Sequence, residues 1–297
     1  MQQDGTYRYT MEAPVSTPPQ RVVSLVPSVT ESLFELGVGD RVIGITDYCV
    51  HPAEQVARLP RIGGTKNPDV EQIIALRPDL VIANQEENRE ADVVALQAAG
   101  LPVWVTFPKT VREAFNLLWN IMYVFDEPSM VERIRSTEWL CDWLERMEQP
   151  ECKVFVPIWS DPLMTFNADT FAHDVLRVCG GTNVFADRER LYPLAADLGQ
   201  AEPLSADDPR AAGRDTRYPR VTLAEVEAAQ PDVILLPSEP FAFNASHIPV
   251  FAALDIPAAR NQNIRLVDGS LLTWHGTRLA RALNTLPNLL CPSKSEV

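Results

Sequence analysis

The sequence predicts an α/β protein with two similar lobes joined by a long helical region. Short runs of β-branched apolar residues alternate with segments whose apolar residues recur at helical spacing, which is typical of parallel sheets with crossover helices. The alternation occurs twice in 297 residues, and a chain of this length can bury two cores. We therefore expect a tail at 1–20, a first lobe at 21–110, a helical region at 111–149 and a second lobe at 150–297.

The first strand–helix unit, Arg21–Gly37, defines the pattern. Val22–Val26 has the composition of a buried parallel strand. Ser28 and Glu31 have the spacing of a capping box at the start of a helix that ends near Gly37. In open α/β sheets ligands bind at such strand–helix turns, whereas many single units of this kind bind nothing.

Further elements complete the first lobe. Asp69 is expected to cap one helix, which should stop before Pro78. An edge strand is expected in the tail at Tyr7–Met11. The remaining predicted strands are Arg41–Ile45, Leu80–Ala83 and Val103–Phe107, and the remaining predicted helices are Val70–Leu76 and Glu90–Ala99.

The region at 111–149 predicts two helices with a break at Asp126–Ser129. From Ser129 to Glu148 the chain could run as one helix of about 30 Å. No Gly/Ser linker lies near it, so a helix and not a flexible hinge should join the lobes. Five apolar residues are expected to pack along a domain: Ile134, Leu140, Trp143, Leu144 and Met147.

The second half repeats the order of the first. Lys153–Pro157 corresponds to Arg21–Pro27, and an insertion at 195–220, rich in Pro, Asp and Arg, has no counterpart. Two such lobes predict a cleft between them for a small ligand. The other predicted segments are Asp169–Cys179, Thr222–Ala229, Pro231–Leu236, Asn263–Val267 and Gly276–Leu290.

Composition excludes several functions. The net charge of −14 disfavours nucleic acid and anionic membranes, and no apolar run approaches the length of a membrane helix. The five cysteines show no CxxC or metal-ligand spacing, so buried free thiols are expected. The first 20 residues lack a secretory signal, so we expect a cytoplasmic chain or one whose leader was removed.

Four motifs resemble a known family: RVVSLVPSVTE, LGVGDRVIGIT, VEQIIALRPDLVIA and VCGGTNVF. They are similar to the class III substrate-binding proteins of ABC importers, which bind cobalamin, haem or ferric siderophores, and most of all to the cobalamin branch. The resemblance spans residues 21 to about 290. It implies two Rossmann-like lobes bridged by one rigid helix, an extracytoplasmic monomer, no enzymatic activity and no cofactor besides the carried metal chelate.

The family resemblance also implies docking to an ABC permease. In this family each lobe presents a surface glutamate early in the helix before the Pro-Asp strand. Glu71 matches that position in the first lobe. In the second lobe the matching position is Ala224, and the acid is displaced to Glu225, which also has capping-box spacing with Thr222.

Candidate ligand-binding residues follow the predicted strands. Aromatic side chains with a few hydrogen-bonding groups would suit a flat, largely apolar macrocycle. His275 is expected at the cleft, either against a metal centre of the ligand or as a hydrogen-bonding surface residue. The candidates are Ser28, Tyr48, Lys66, Gln85 and Phe107 in the first lobe, and Trp159, Asn167, Phe241, Trp274 and His275 in the second.

Charge and motif content leave several functions open. Lys66 is the sole cation among the first-lobe candidates and has acidic Glu86 and Glu87 nearby, which favours a neutral or cationic corrinoid over a ferric siderophore. A siderophore or haem receptor, and a cytoplasmic carrier or sensor without an importer, remain alternatives. A two-lobed enzyme is supported by fold analogy alone, because the chain has no GxSxG or P-loop motif. No histidine pair has zinc-site spacing.

Overall fold

The computed structural model describes residues 9–10, 12–147, 151–205 and 207–290. The chain forms two compact units: the first comprises residues 1–139 and 274–280, and the second comprises residues 140–273 and 281–297. This division differs from the predicted lobes at residues 274–280, which the sequence assigns to the second lobe. Each unit contains one four-stranded parallel sheet, so the predicted α/β class with two parallel sheets is confirmed.

The first unit is built on the strand order β2-β1-β5-β6. Val23, Val81 and Val105 from its strands belong to the buried core, together with Ile73 and Leu96 from flanking helices. The elements are β1 (Val22–Ser24), α1 (Pro27–Glu35), β2 (Val42–Ile45), α2 (Ala53–Val56), β3 (Gly63–Gly64), β4 (Asn67–Pro68), α3 (Val70–Leu76), β5 (Leu80–Asn84), α4 (Glu90–Ala98), β6 (Val103–Thr106), α5 (Val111–Phe125) and α6 (Met130–Arg146).

The second unit has the order β10-β7-β11-β12, in which the main strands follow the same sequence of neighbours as in the first. Its core contains Phe155, Ile234 and Leu236 from the strands and Val226 and Phe251 from helices. The elements are β7 (Cys152–Phe155), β8 (Trp159–Ser160), β9 (Leu163–Met164), α7 (Phe171–Val178), β10 (Gly181–Asn183), α8 (Leu223–Ala229), β11 (Val233–Pro237), α9 (Ile248–Ala252), α10 (Pro257–Arg260), β12 (Ile264–Val267), α11 (Ser270–Thr273) and α12 (Leu279–Leu290).

The sequence predicts one N-terminal helix cap of the first unit correctly and another wrongly. Asp69 caps α3 by accepting from the Gln72 N–H at 2.9 Å, as predicted. The capping box predicted for Ser28 and Glu31 is wrong, because α1 starts one residue after Val26 and no side chain caps it. Gly37 ends α1 with a φ of 90°, which a residue without Cβ adopts at little cost.

The predicted break between the two long helices is confirmed, since α5 ends at Phe125 and α6 begins at Met130. Of the apolar residues predicted to pack along a domain, Ile134 and Leu144 are buried as predicted, whereas Trp143 on α6 and Met147, which follows α6, are 53% and 44% exposed. Helical spacing identifies a common face but does not show whether another element covers it.

The predicted insertion at 195–220 contains little regular structure. Apart from a short 3-10 turn at Ala196–Leu198, backbone hydrogen bonds hold it to the rest of the second unit, such as Thr165 N–H to the Pro219 carbonyl at 3.1 Å. Of the predicted edge strand Tyr7–Met11, only Tyr9 and Thr10 are described, and the Thr10 N–H donates to the Val105 carbonyl at 3.0 Å. Among the described helices, none is long and apolar enough to cross a membrane.

Candidate functional site

Tyr48 and Lys66 lie together beyond the carboxyl end of the first sheet. The Tyr48 side chain is 62% exposed and lies over Gly64, where an added Cβ would be 3.3 Å from its ring. Lys66, in the turn between β3 and β4, donates to the carbonyl of Glu86 in the loop after β5. The Gln85 N–H donates to the Thr106 carbonyl at 2.9 Å, which holds the start of that loop against β6. These three predicted residues therefore share one edge of the sheet.

Phe107 lies at the other side of the same edge, because β6 and β2 are the two outermost strands of the sheet. Three strand spacings put these strands roughly 14 Å apart. Phe107 is half-buried and makes an edge-to-face contact with Tyr9, with 6.2 Å between ring centroids. The sequence did not indicate Tyr9, because nothing in the tail shows which strand it approaches. A small pocket here is lined by Tyr9, Thr10, Trp104, Thr106, Phe107, Pro108, Glu113, Leu117 and Asn120.

Ser28 and His275 are interior residues of the first unit, contrary to the prediction that they face a ligand. Their side chains are buried, and the Ser28 hydroxyl lies 3.4 Å from both ring nitrogens of His275. Burial lowers the pKa of His275 to about 4, so the imidazole is neutral at pH 7. The prediction of a surface or metal-contacting histidine is therefore wrong, because residues 274–280 pack against α1.

A buried ion pair holds that segment to α1. Arg278 donates from Nε to Glu31 at 2.8 Å and from a terminal nitrogen to the other carboxylate oxygen. Burial raises the pKa of the Glu31 carboxyl, and the hydrogen bonds and charge of Arg278 oppose that rise. The Thr277 N–H donates to the Ser32 hydroxyl at 3.1 Å. These contacts explain why residues 274–280 belong to the first unit.

The same arginine positions Trp274. The guanidinium carbon of Arg278 lies 5.0 Å from the Trp274 ring centroid, a cation–π distance. His51, which follows β2, makes an edge-to-face contact with Trp274 at 5.8 Å. Trp274 is half-buried. It therefore lies beside the loop that carries Tyr48, on the first unit and not on the second.

Trp159 and Phe241 form an aromatic cluster at the carboxyl end of the second sheet. Trp159, on β8, is 44% exposed and meets Phe241 edge to face with 5.5 Å between centroids. Phe241 also contacts Phe243 at 4.7 Å and His247 at 5.4 Å. The structure thus brings together the two aromatic residues predicted after β7 and β11. His247 was not predicted, since it is on a 3-10 turn that the sequence does not indicate.

Asn167 is a structural residue, contrary to the prediction that it faces a ligand. It is buried, its side chain donates to the Thr216 carbonyl at 3.3 Å, and its backbone N–H donates to the Arg217 carbonyl at 2.9 Å. Its side-chain oxygen accepts from the Asp169 N–H at 3.0 Å. Asn167 therefore fastens the end of the insertion to the loop after β9.

The two predicted docking acids have different environments. Glu71 is exposed in the first turn of α3. Glu225 forms the predicted capping box with Thr222, accepting from its N–H at 2.7 Å, and lies 3.5 Å from a terminal nitrogen of Arg188. Glu225 is thus held by its own unit.

Residue types that hold metals do not converge in the part of the chain that the structure describes. No group of three or more His, Cys, Asp or Glu side chains lies within reach of one ion there. Cys49, Cys141, Cys152 and Cys179 are buried free thiols, and Cys291 lies outside the described residues. Burial raises the pKa of the Cys179 thiol to about 12, which makes it unreactive at neutral pH.

Comparison with known proteins agrees with this architecture. Residues 22–118 match a family model described as periplasmic binding protein. A vitamin B12-binding protein of Yersinia pestis is 30% identical over 179 residues, which cover 59% of this chain and 63% of the relative, so the match spans less than two thirds of that protein.

Solved structures extend the likeness in fold to nearly the whole chain. The periplasmic vitamin B12-binding protein of Vibrio cholerae has a TM-score of 0.71 at 22% identity, covering 93% of this chain and 98% of that one. A periplasmic haem-binding protein of Roseiflexus has a TM-score of 0.67 at 21% identity, with the same coverage. Residues 22–118 therefore resemble the periplasmic binding protein family, and the chain as a whole has the fold of these solved periplasmic binding proteins.

Proposed function

We propose that this chain binds a corrinoid of the cobalamin type for delivery to an ABC importer. The observation that carries the proposal is the aromatic cluster of exposed Trp159 and half-buried Phe241 at the carboxyl end of the second sheet. Aromatic rings of this kind bury a flat macrocycle while their edges leave room for its polar arms. The vitamin B12-binding relative at 30% identity supports the same ligand.

The first unit carries its own candidate ligand-binding groups. Tyr48 and Trp274 offer aromatic surface, and Lys66 and the loop at 85–88 offer hydrogen-bonding groups. Phe107, with Tyr9, is a second aromatic position on the same unit. We propose these residues as ligand-binding groups of the first unit, and Trp159 and Phe241 as those of the second.

Haem is the second candidate ligand. It is favoured by the likeness in fold to solved haem-binding proteins, such as those of Roseiflexus and Vibrio cholerae, at TM-scores of 0.67 and 0.69. The aromatic cluster suits a porphyrin as well as a corrin ring, because both are flat macrocycles. The two ligands must be separated by measurement.

Calorimetric titration with cyanocobalamin, haemin and a ferric siderophore tests the proposal. Cyanocobalamin should release or absorb heat with a dissociation constant in the micromolar range or below, and the ferric siderophore should bind most weakly because the first unit offers few cations. Binding of haemin alone would assign the chain to the second candidate. Absence of heat with all three chelates would contradict the proposed function.

A further inference from the structure

Six arginines lie between residues 188 and 220 of the second unit, in a chain whose net charge is −14. This segment includes the insertion that has no counterpart in the first half of the sequence. Three of the arginines have carboxylate partners: Arg217 with Asp215 at 2.7 Å, Arg210 with Asp208 at 2.8 Å, and Arg188 with Glu225 at 3.5 Å.

Arg190 and Arg214 differ from these three. Among the described residues neither has a carboxylate within ion-pair distance, and both lie against Tyr192. Their guanidinium carbons are 5.9 and 5.0 Å from its ring centroid, so the two carbons are no more than about 11 Å apart. We call these two residues the arginine pair. Both positive charges therefore lie near one tyrosine ring, and their attractions for an oxyanion beside that ring add.

The Nε–H of Arg190 is buried and has no hydrogen-bond acceptor among the described residues. An unsatisfied buried donor costs about 1–3 kcal/mol, and more when the group is charged. Arg190 is half-buried and Arg214 is exposed, so an anion from solvent can reach the pair. The accessible positive charge is thus mainly that of Arg214, whereas the unused Nε donor of Arg190 lies below the surface.

The backbone around the arginine pair is held in place. The Tyr192 hydroxyl donates to the Asp215 carbonyl at 2.8 Å, and the Arg190 N–H donates to the Thr216 carbonyl at 2.8 Å. Asp197 is buried and accepts from the Leu191 N–H at 2.6 Å. The backbone of Arg190 and the ring of Tyr192 are therefore held in place, which limits the conformational entropy lost there when an anion binds.

The arginine pair is connected to the aromatic cluster by adjacent backbone segments. Trp159 pairs with Met164 across β8 and β9, and Met164 pairs with Arg220 in an isolated bridge. The 216–220 segment in turn contacts Arg190 through the Thr216 carbonyl. Three sideways spacings of about 4.8 Å, combined with the four residues from Arg220 to Thr216, put the Arg190 backbone roughly 20 Å from that of Trp159. One ligand the size of a corrinoid with its side arms can span that distance.

We propose that Arg190 and Arg214, with Tyr192, form an oxyanion-binding subsite for the same ligand that covers the Trp159 cluster. This inference rests on the proposed function. In cobalamin the oxyanion is the phosphodiester of the nucleotide arm, and in haem it is a propionate carboxylate. Both are acceptors that guanidinium groups bind strongly.

Paired ligands test the subsite. The double variant Arg190→Gln/Arg214→Gln and the single variant Arg214→Gln are compared with wild type for cyanocobalamin, for dicyanocobinamide, which lacks the phosphodiester, and for haemin. The control variant is Arg210→Gln, which removes an exposed arginine of the same segment that is already paired with Asp208. The double variant should bind cyanocobalamin about 10-fold more weakly, and dicyanocobinamide as wild type does. Thermal unfolding of each variant checks that it is folded.

The outcomes separate this inference from the proposed function. A loss confined to cyanocobalamin places its phosphodiester at the pair, and a loss confined to haemin places the propionates there. Equal affinities of wild type and both variants, or equal losses for both corrinoids, would overturn the subsite while leaving the proposed function intact. If wild type binds none of the three probes, the proposed function is wrong and the subsite with it.

Discussion

Glu31 and Arg278 form an ion pair whose side chains are 8% and 4% exposed. Removal of one partner leaves the other charge buried and uncompensated, which costs about 3–5 kcal/mol. We therefore expect Arg278→Met to lower the free energy of unfolding by that amount in urea denaturation, and Glu31→Met/Arg278→Met to recover most of the loss. The exposed pair Arg260 and Asp255 is the control, since Arg260→Met should cost less than about 1 kcal/mol. Similar losses of unfolding free energy for Arg278→Met and Arg260→Met would show that the buried ion pair has no special role in stability.

His275 should make stability depend on pH. Its pKa in the folded protein is about 4, because burial disfavours the imidazolium, whereas an imidazole in the unfolded chain titrates near 6.5. The unfolded state binds the proton more readily, so the contribution is complete above about pH 6.5 and is lost as pH falls toward 4. Glu31, whose pKa burial raises, acts in the opposite direction, so His275 must be isolated by substitution.

The measurement is the unfolding free energy at pH 7 and pH 5 for wild type and His275→Gln. Wild type should lose about 2 kcal/mol more than the variant between these two pH values. Parallel losses in the two proteins would show that His275 does not carry this dependence.

Among side-chain contacts, the sequence predicts those between residues that are close together in the chain. The Asp69 cap and the Thr222–Glu225 capping box are confirmed, because each involves groups three residues apart. The Ser28–Glu31 box is wrong, because the actual partner of Glu31 is 247 residues away in the chain. Nothing in a single sequence indicates that residues 274–280 return to α1, so His275 and Trp274 were assigned to the other lobe.

The Pro-Asp motif before β5 and β11 has the same structural role in both units. Asp79 accepts from the Arg21 N–H at 2.9 Å, and Asp232 accepts from the Lys153 N–H at 2.9 Å. The carboxylate satisfies a backbone donor just before β1 in the first unit and within β7 in the second. The residue before each proline, Arg77 or Gln230, is left-handed with φ near 50°, which ends the preceding helix.

We expect Asp79→Ala and Asp232→Ala each to lower the free energy of unfolding by about 1–2 kcal/mol. Loss of Asp79 removes the acceptor of the Gln20 and Arg21 N–H groups, and loss of Asp232 removes that of the Lys153 N–H. The control is Asp161→Ala, an exposed aspartate in the turn between β8 and β9. Urea denaturation monitored by circular dichroism gives the values. Losses no larger than that of the control would show that the motif does not support the strands.

Strand and helix positions were predictable because apolar runs and helical spacing recur in both halves. Which faces of those elements are buried was not predictable, as the exposure of Trp143 on α6 shows. The aromatic cluster was predicted in part: Trp159 and Phe241 follow strands that turned out to be neighbours, whereas Asn167 points into its own unit. Loop residues between strands carry no signal that separates a ligand-facing side chain from one that anchors a loop.

For the whole molecule, delivery of the ligand to an importer would require a surface that contacts the permease, and Glu71 is the candidate residue. If Glu71 contacts a permease, Glu71→Arg should abolish most ligand uptake by cells while leaving the dissociation constant unchanged, because the residue is exposed on α3. Glu90→Arg, an exposed first-turn acid of α4, is the matched control and should leave uptake unchanged. Normal uptake with Glu71→Arg would remove this residue from the docking surface.

The most direct test is the dissociation constant of cyanocobalamin for wild type, Trp159→Ala and Trp143→Ala. Trp159 and Trp143 are 44% and 53% exposed, so the two substitutions remove similar accessible surface from the second unit. If Trp159 contacts the ligand, its loss should weaken binding by about 1–3 kcal/mol, roughly 5- to 150-fold, while Trp143→Ala binds as wild type does. Equal affinity of Trp159→Ala and wild type would contradict the proposed site, and absence of binding by wild type would contradict a corrinoid ligand.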